Sequence, residues 1–439
     1  MNAKKTLLIS SLCILLTANS FGWGVTPHTV IAYLAFNSEN KYISDDARSV
    51  VIPLLQQNQN FPIPGPVPCT VISGVDNPDN FLASAVAPWP DTIKYIPLSG
   101  WGPNASPNAE SFYANAHFID IQFNYGEVAN LDTSIALDTV RAQIAADAQQ
   151  TANQLANDDL YYVLRSCIKS LALSQDPSTK SQISNNEVIF ALRHLIHFAG
   201  DNTEPLHMSD PMFMQGKTQE DSYGGNEIYF AEPYVTISNN VGSSTIQELH
   251  ALWDNPGNSF VPLNINTETT QDSEIYINQQ SAAQITDVAN SIDAMYSSTQ
   301  WETNIVHNVG CGSDLIMSWA TESYMVAVAN VFNKLNQPMP APSLDKQPKI
   351  EDRPCRSGYA PDGTILTSAS ITIPPPTTDY INSLGPVTTL QMYMSAVRLG
   401  CLLTAIYDPD NAPETFVNYV NQLKNDNSIP TVNNLMQVY

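Results

Sequence analysis

Histidine is scarce in this chain, with seven in 439 residues, and where each falls sets the first question. His197 stands four residues before Asp201, and His250 four residues before Asp254. On a helix that spacing stacks two side chains on one face, so a single cation can meet both. Between the pairs, Asn202-Thr203-Glu204-Pro205-Leu206 leads to His207. Pro205 stops a helix and turns the chain back toward the same region. Upstream, Asp91 sits in Trp89-Pro90-Asp91, and His117 opens His117-Phe118-Ile119-Asp120. Neutral imidazole nitrogen with carboxylate oxygen suits zinc, and a catalytic zinc site keeps one position for water.

Each of these features alone has a plainer reading. A single His-x-x-x-Asp on a helix is usually a surface hydrogen-bonded pair, Asp91 alone a turn residue, and His28 a satisfied histidine near a helix start. Two such pairs with a histidine between them, in a chain this poor in histidine, outweigh those readings. His194, three residues before His197, reads as a helix-face or supporting residue. His307 has no partner pattern.

The elements that must position these donors read as helices. Thr26-Pro27 predicts an N-cap and first-turn proline for a helix through Phe36. Ser184 and Glu187 predict a capping box ahead of Ile189, Leu192, Ile196 and Ala199 at helical spacing. Ser244 and Gln247 repeat that cap before Ile246, Leu249 and Trp253. Further helical patterns cover residues 134–157, 281–298, 313–335 and 390–407, and residues 226–237 read as a short hairpin. The fold class is mainly α, a multi-helix bundle with long loops.

The first 22 residues stand apart. Lys4 and Lys5 precede an apolar run, and Ser20-Phe21-Gly22 is a small-x-small cleavage pattern, so Trp23 is the expected mature amino terminus. The expected location is secreted or periplasmic. The chain carries a formal charge of −24, which excludes a broad basic groove for duplex nucleic acid. Beyond the leader Cys13, five cysteines remain, none in a Cys-x-x-Cys pair, so thiolate zinc sites are not expected. One or two disulfides are compatible with export. Prolines gather in residues 336–386, which read as an insertion or small lobe between a catalytic domain at 23–335 and C-terminal helices at 387–439.

Taken in order, Trp23-Gly24 with His28, Trp89-Pro90-Asp91, His117-Phe118-Ile119-Asp120, His197-Phe198-Ala199-Gly200-Asp201 through Pro205-Leu206-His207, Gly224-Gly225-Asn226 and His250-Ala251-Leu252-Trp253-Asp254 resemble the zinc-dependent phospholipase C and single-strand-specific nuclease superfamily. The segment Ser318-Trp319-Ala320-Thr321-Glu322-Ser323 is similar to one of its late helices. The resemblance implies three zinc ions. One would be held by Asp91, His117, His197 and Asp201, a second by His207, His250 and Asp254, and a third by His28, Asp201 and the amino and carbonyl groups of Trp23. Asp120 would either orient the attacking water or accept a hydrogen bond from a ligand histidine.

The ligands do not separate the two branches of the superfamily. Many tyrosines and acids with few Lys and Arg favour a phospholipid headgroup, so the expected activity is a phospholipase C at a phospholipid or membrane surface. The alternative is a single-strand-specific endonuclease and 3′-nucleotidase, with single-stranded nucleic acid as substrate. A zinc-binding surface protein without turnover is the third reading. The chain is expected to act as a monomer.

Overall fold

The computed structural model describes residues 23–37, 42–57, 72–93, 116–119, 121–124, 159–215, 218–220, 228–231, 235–239, 242–246, 248–254, 277–297, 314–335 and 371–438, with Glu39 and Gly225 besides. Residues 134–157, Asp120, Asn226 and His307 lie outside them, as do Cys69, Cys311 and Cys355. Cys167 is a free, buried thiol.

The fold is mainly α, as the periodicity predicts. Helix α1 (Val25–Phe36) is apolar all round and is buried from Pro27 to Phe36, as suits a helix surrounded by others. It starts earlier than the Thr26-Pro27 pattern predicts. Gly24 occupies the N-cap with no side-chain hydrogen bond, and Thr26 lies inside the helix. Helix α2 (Asp45–Leu55) is capped by Ser44. Two short helices, α3 (Leu82–Val86) and α4 (Trp89–Ile93), follow a 3₁₀ turn at Pro78–Phe81. Asp159 caps α5 (Leu160–Gln175), and Ser184 caps α6 (Asn185–Asp201) through the Glu187 N–H. The reciprocal half of that capping box does not form. The Glu187 carboxylate accepts instead from Ser170 Oγ at 2.8 Å and the Asn433 N–H at 3.1 Å, tying α6 to its neighbours.

Helix α7 (Leu249–Asp254) is only six residues long. Ser244, expected as its cap, lies in strand at Gly242–Ile246, and Gln247 is outside the described residues. Helix α8 (Gln279–Tyr296) has a full capping box between Asn278 and Ser281. Helix α9 (Leu315–Val326) widens into a π segment at Ala327–Phe332 and ends in a last turn at Asn333–Leu335. Helix α10 (Thr378–Tyr407) begins earlier than the pattern at 390–407 indicates, capped by Thr377 and carrying Pro386 inside it. It is long and apolar enough to cross a membrane, but it is mostly buried against other helices, as a core helix is. Helices α11 (Glu414–Asn425) and α12 (Val432–Val438) complete the described chain.

Helix α1 packs against α3, α6, α8 and α10, and α5 bridges α6 and α11. Gly200 on α6 makes the α1 contact close. A Cβ there would lie 2.8 Å from His28 Nδ1.

Among the described residues the strands form four small sheets. Strand β1 (Ile72–Ser73) pairs in parallel with β8 (Ile277–Asn278). Strand β2 (Gln122–Asn124) runs parallel to β3 (Asp210–Gln215), which pairs antiparallel with β4 (Thr218–Glu220). Strand β5 (Ile228–Phe230) pairs in parallel with β9 (Ile371–Ile373). The hairpin joins β6 (Val235–Asn239) and β7 (Gly242–Ile246), displaced from the 226–237 reading.

Candidate metal centre

Helix α6 delivers two donors at its carboxyl end. His197 Nδ1 donates to the Ala87 carbonyl at 2.7 Å, which leaves Nε2 as the lone pair facing inward when the ring is neutral. One turn later Asp201 sets Oδ2 3.1 Å from that Nε2. His117 Nδ1 joins them, 3.0 Å from His197 Nε2 and 2.9 Å from Asp201 Oδ2. Asp91, on α4, brings Oδ1 to 3.6 Å from His117 Nδ1 and 3.8 Å from His197 Nε2. A tetrahedral zinc with bonds of about 2.0–2.2 Å spaces its ligand atoms by roughly 3.3–3.6 Å, and these four atoms, at 2.9–3.8 Å from one another, bracket that spacing and need shifts of a few tenths of an ångström to share one ion.

The other oxygen of Asp201 faces a second group. Oδ1 lies 3.1 Å from His28 Nε2, and the His28 ring stacks on His197 with centroids 3.8 Å apart. Trp23 is fully buried. The next residue, Gly24, donates its N–H to the Asp254 carbonyl at 2.9 Å, so the segment leading into α1 runs beside the end of α7.

The third group forms where loops are fastened to one another. The Ile119 N–H donates to the His207 carbonyl at 2.7 Å, and His207 Nδ1 donates to the His117 carbonyl at 2.6 Å. Strands β2 and β3 continue this pairing, so the segments carrying His117 and His207 form one ribbon. His207 sits in the 3₁₀ turn Pro205–Met208, braced by α9 and the π segment after it. The bracing includes a 2.8 Å bond from Ser323 Oγ to the Asn202 carbonyl. The His207 and His250 rings stack with centroids 5.3 Å apart, and His250 Nε2 lies 3.5 Å from Asp254 Oδ1. Gly225 passes close by at φ +89°, with His250 N 3.7 Å from where a Cβ would stand.

Among the described residues, donor atoms therefore gather in three sets: Asp91, His117 and His197; His28, His197 and Asp201; and Glu204, His207, His250 and Asp254. Glu204 is the member that sequence reasoning passed over as part of the connecting loop. Its signal was a carboxylate three residues before His207. His194 is not in any set. It stacks on Phe190 and bonds that residue's carbonyl through Nδ1 at 2.8 Å.

The electrostatics fit a cation. Burial lowers the pKa of His28, and holds that of His207 well below the ordinary imidazole value. Burial also acts to lower His197, but Asp201 and Asp91 outweigh it and the net shift is upward. Burial acts to raise Asp201, yet the surrounding histidines hold it well below the carboxylate range. Burial drives Glu204 well above that range. His207 Nε2, Glu204 Oε1 and Asp201 Oδ1 are buried without hydrogen-bond partners. Leaving such groups unsatisfied costs about 1–3 kcal/mol each, and a divalent ion would satisfy several at once. Asp91 is the most accessible donor, its side chain 20% exposed while the others are at most 3%.

The donor set is nitrogen and carboxylate oxygen without thiolate, which suits zinc. No curated protein matches this chain. A family model described as S1/P1 Nuclease matches residues 23–350, a span that contains every donor named above. With three quarters of the chain matched, the chain belongs to the S1/P1 nuclease family, zinc-dependent hydrolases of phosphodiester bonds.

Proposed function

We propose that the chain is a single-strand-specific endonuclease and 3′-nucleotidase that works with three zinc ions. The family match over residues 23–350 carries the reading, and it favours nucleic acid over the phospholipid expected from composition.

In this reading Asp91, His117, His197 and Asp201 hold one ion, His207, His250 and Asp254 a second, and His28, Asp201 and Trp23 a third. Bound zinc supplies neutralisation of the phosphate and activation of water at neutral pH. The protein's own part is to fix the donors. Ala87 sets the His197 tautomer and the His117 carbonyl sets that of His207, so each ring keeps Nε2 as a lone pair. Asp201, with Oδ1 facing His28 and Oδ2 facing His117, would offer one oxygen to each of two ions. Asp120, three residues after His117, would either orient the attacking water or accept a hydrogen bond from a ligand histidine. Asp91, the most exposed of the donors, would lie nearest the incoming phosphodiester. Trp23 serves through its α-amine once the leader is removed by export to the periplasm or medium.

The acid excess of the chain favours a second substrate, a phospholipid with a cationic headgroup. One assay separates the two. Zinc-loaded protein is incubated with single-stranded DNA and RNA and, in parallel, with phosphatidylcholine vesicles, and products are identified by mass. Nucleotides ending in 5′-phosphate with intact lipid are expected. Diacylglycerol and phosphocholine with intact nucleic acid would overturn the nuclease reading.

A further inference from the structure

Glu204 is fully buried, and its carboxylate faces two ways. Oε2 accepts the His207 N–H at 2.6 Å and so fixes the turn that presents His207. Oε1 is buried with no hydrogen-bond partner. The donor atoms of Glu204, His207, His250 and Asp254 all lie within 4.8 Å of one another.

We propose that Glu204 is a fourth protein ligand to the ion held by His207, His250 and Asp254. The inference rests on the zinc reading above and deepens it. A carboxylate oxygen in a dry cluster needs a proton donor or a cation. Here the neighbouring donors are two imidazoles and a second carboxylate, and a divalent ion serves all four. Two carboxylates then balance the ion's charge. Four protein ligands also give the closed set typical of a structural zinc.

The test is a zinc titration against a competing chelator with the wild-type protein, Glu204→Gln and His250→Ala. Glutamine keeps an oxygen for the His207 N–H and removes the charge. We expect Glu204→Gln to weaken one zinc by more than about 100-fold, beyond the 10–100-fold cost of losing a residue that only supports a ligand, while the remaining zinc binds as before. Wild-type affinity for every ion in Glu204→Gln, with zinc lost from His250→Ala, overturns the role of Glu204 alone. Full zinc in His250→Ala overturns the underlying metal reading as well. X-ray absorption and anomalous diffraction on the zinc-loaded wild type give an answer that no variant's folding can obscure. A Glu204 oxygen at about 2.0–2.2 Å from zinc is expected, and an oxygen outside bonding range overturns the proposal.

Discussion

His28 Nε2 and Asp201 Oδ1 lie 3.1 Å apart with both side chains fully buried, while Asp201 Oδ2 lies 2.9 Å from His117 Nδ1. One carboxylate at the end of α6 thus faces two donor groups at once, and it joins the central helix α1 to the loop at His117. A change at Asp201 is therefore expected to disturb both groups. A change at an outlying donor should disturb one.

Zinc content measured by mass spectrometry after chelator dialysis gives the first check. Asp201→Ala should lose two ions, and His250→Ala one. Turnover should fall more than about 100-fold in each, since even residues that only support a ligand typically cost 10–100-fold. Equal zinc in Asp201→Ala and the wild type would leave the divided carboxylate without a role.

Gly200 supplies the second. Alanine there would push its Cβ to 2.8 Å from His28 Nδ1. Either α1 moves away from α6 or the His28 ring rotates off Asp201. Overpacking of this kind costs about 1–3 kcal/mol. The expected result is a lower Tm and one zinc lost, with the His250 ion retained. An unchanged Tm and full zinc would mean the two helices are free to part.

Metal removal is a third. Ligands that bind only the folded state stabilise it by mass action, about 2.7 kcal/mol per site at a hundredfold excess over Kd. Thermal unfolding with excess EDTA should therefore show a Tm well below that of the zinc-loaded protein. The gap should shrink in His250→Ala and shrink further in Asp201→Ala. A Tm indifferent to chelator would contradict a metal centre built into the core.

His194 gives a pH prediction with a definite sign. Burial lowers its pKa from 6.5 to about 3. Above about pH 6.5 the ring is neutral in both folded and unfolded chains, and it contributes nothing to the slope. As pH falls from 6.5 toward 3, the unfolded chain takes up a proton that the folded chain does not, so stability falls. Denaturant titrations of the metal-free protein should show His194→Gln with a shallower loss between pH 6.5 and 4. Parallel slopes would mean that the ring is solvated or protonated in place.

Trp23 offers a fifth. A protein with Met left in front of Trp23 should bind one zinc fewer, because the α-amine becomes a peptide nitrogen that cannot serve as a ligand. Full zinc by mass spectrometry would remove Trp23 from the donor set.

Legibility in the sequence followed the range of the interactions. Helix α6 was readable because a 3.6-residue pattern and its Ser184 cap lie within one segment, whereas α1 was found by its apolar run and the Thr26 cap read for it lies inside the helix. The Ser184 cap is real, but Glu187 turned outward to Ser170 and Asn433, partners no local pattern contains. Ser244 and Gln247 misled because Ser-x-x-Gln suits a cap, while strand pairing of residues 242–246 with 235–239 depends on a partner strand. The early start of α10 was hidden by Pro374, Pro375 and Pro376, which immediately precede its cap at Thr377. The His-x-x-x-Asp pairs were visible as spacing. Their meeting with His28, Asp91 and His117 was visible only through the ordered set of motifs. Glu204 went unread because its significance comes from burial beside His250, some forty-six residues away.

The ribbon that fastens His117 to His207 also sets the order in which the centre can form. Its two segments are separated by 90 residues, and the bond from Gly24 to Asp254 spans more than twice that distance. Loop closure over such separations is slow compared with helix formation. Helix formation is therefore expected to precede convergence of the donors, with zinc taken up last. Refolding measured by far-ultraviolet circular dichroism should proceed at a rate independent of zinc concentration, with zinc uptake trailing behind it.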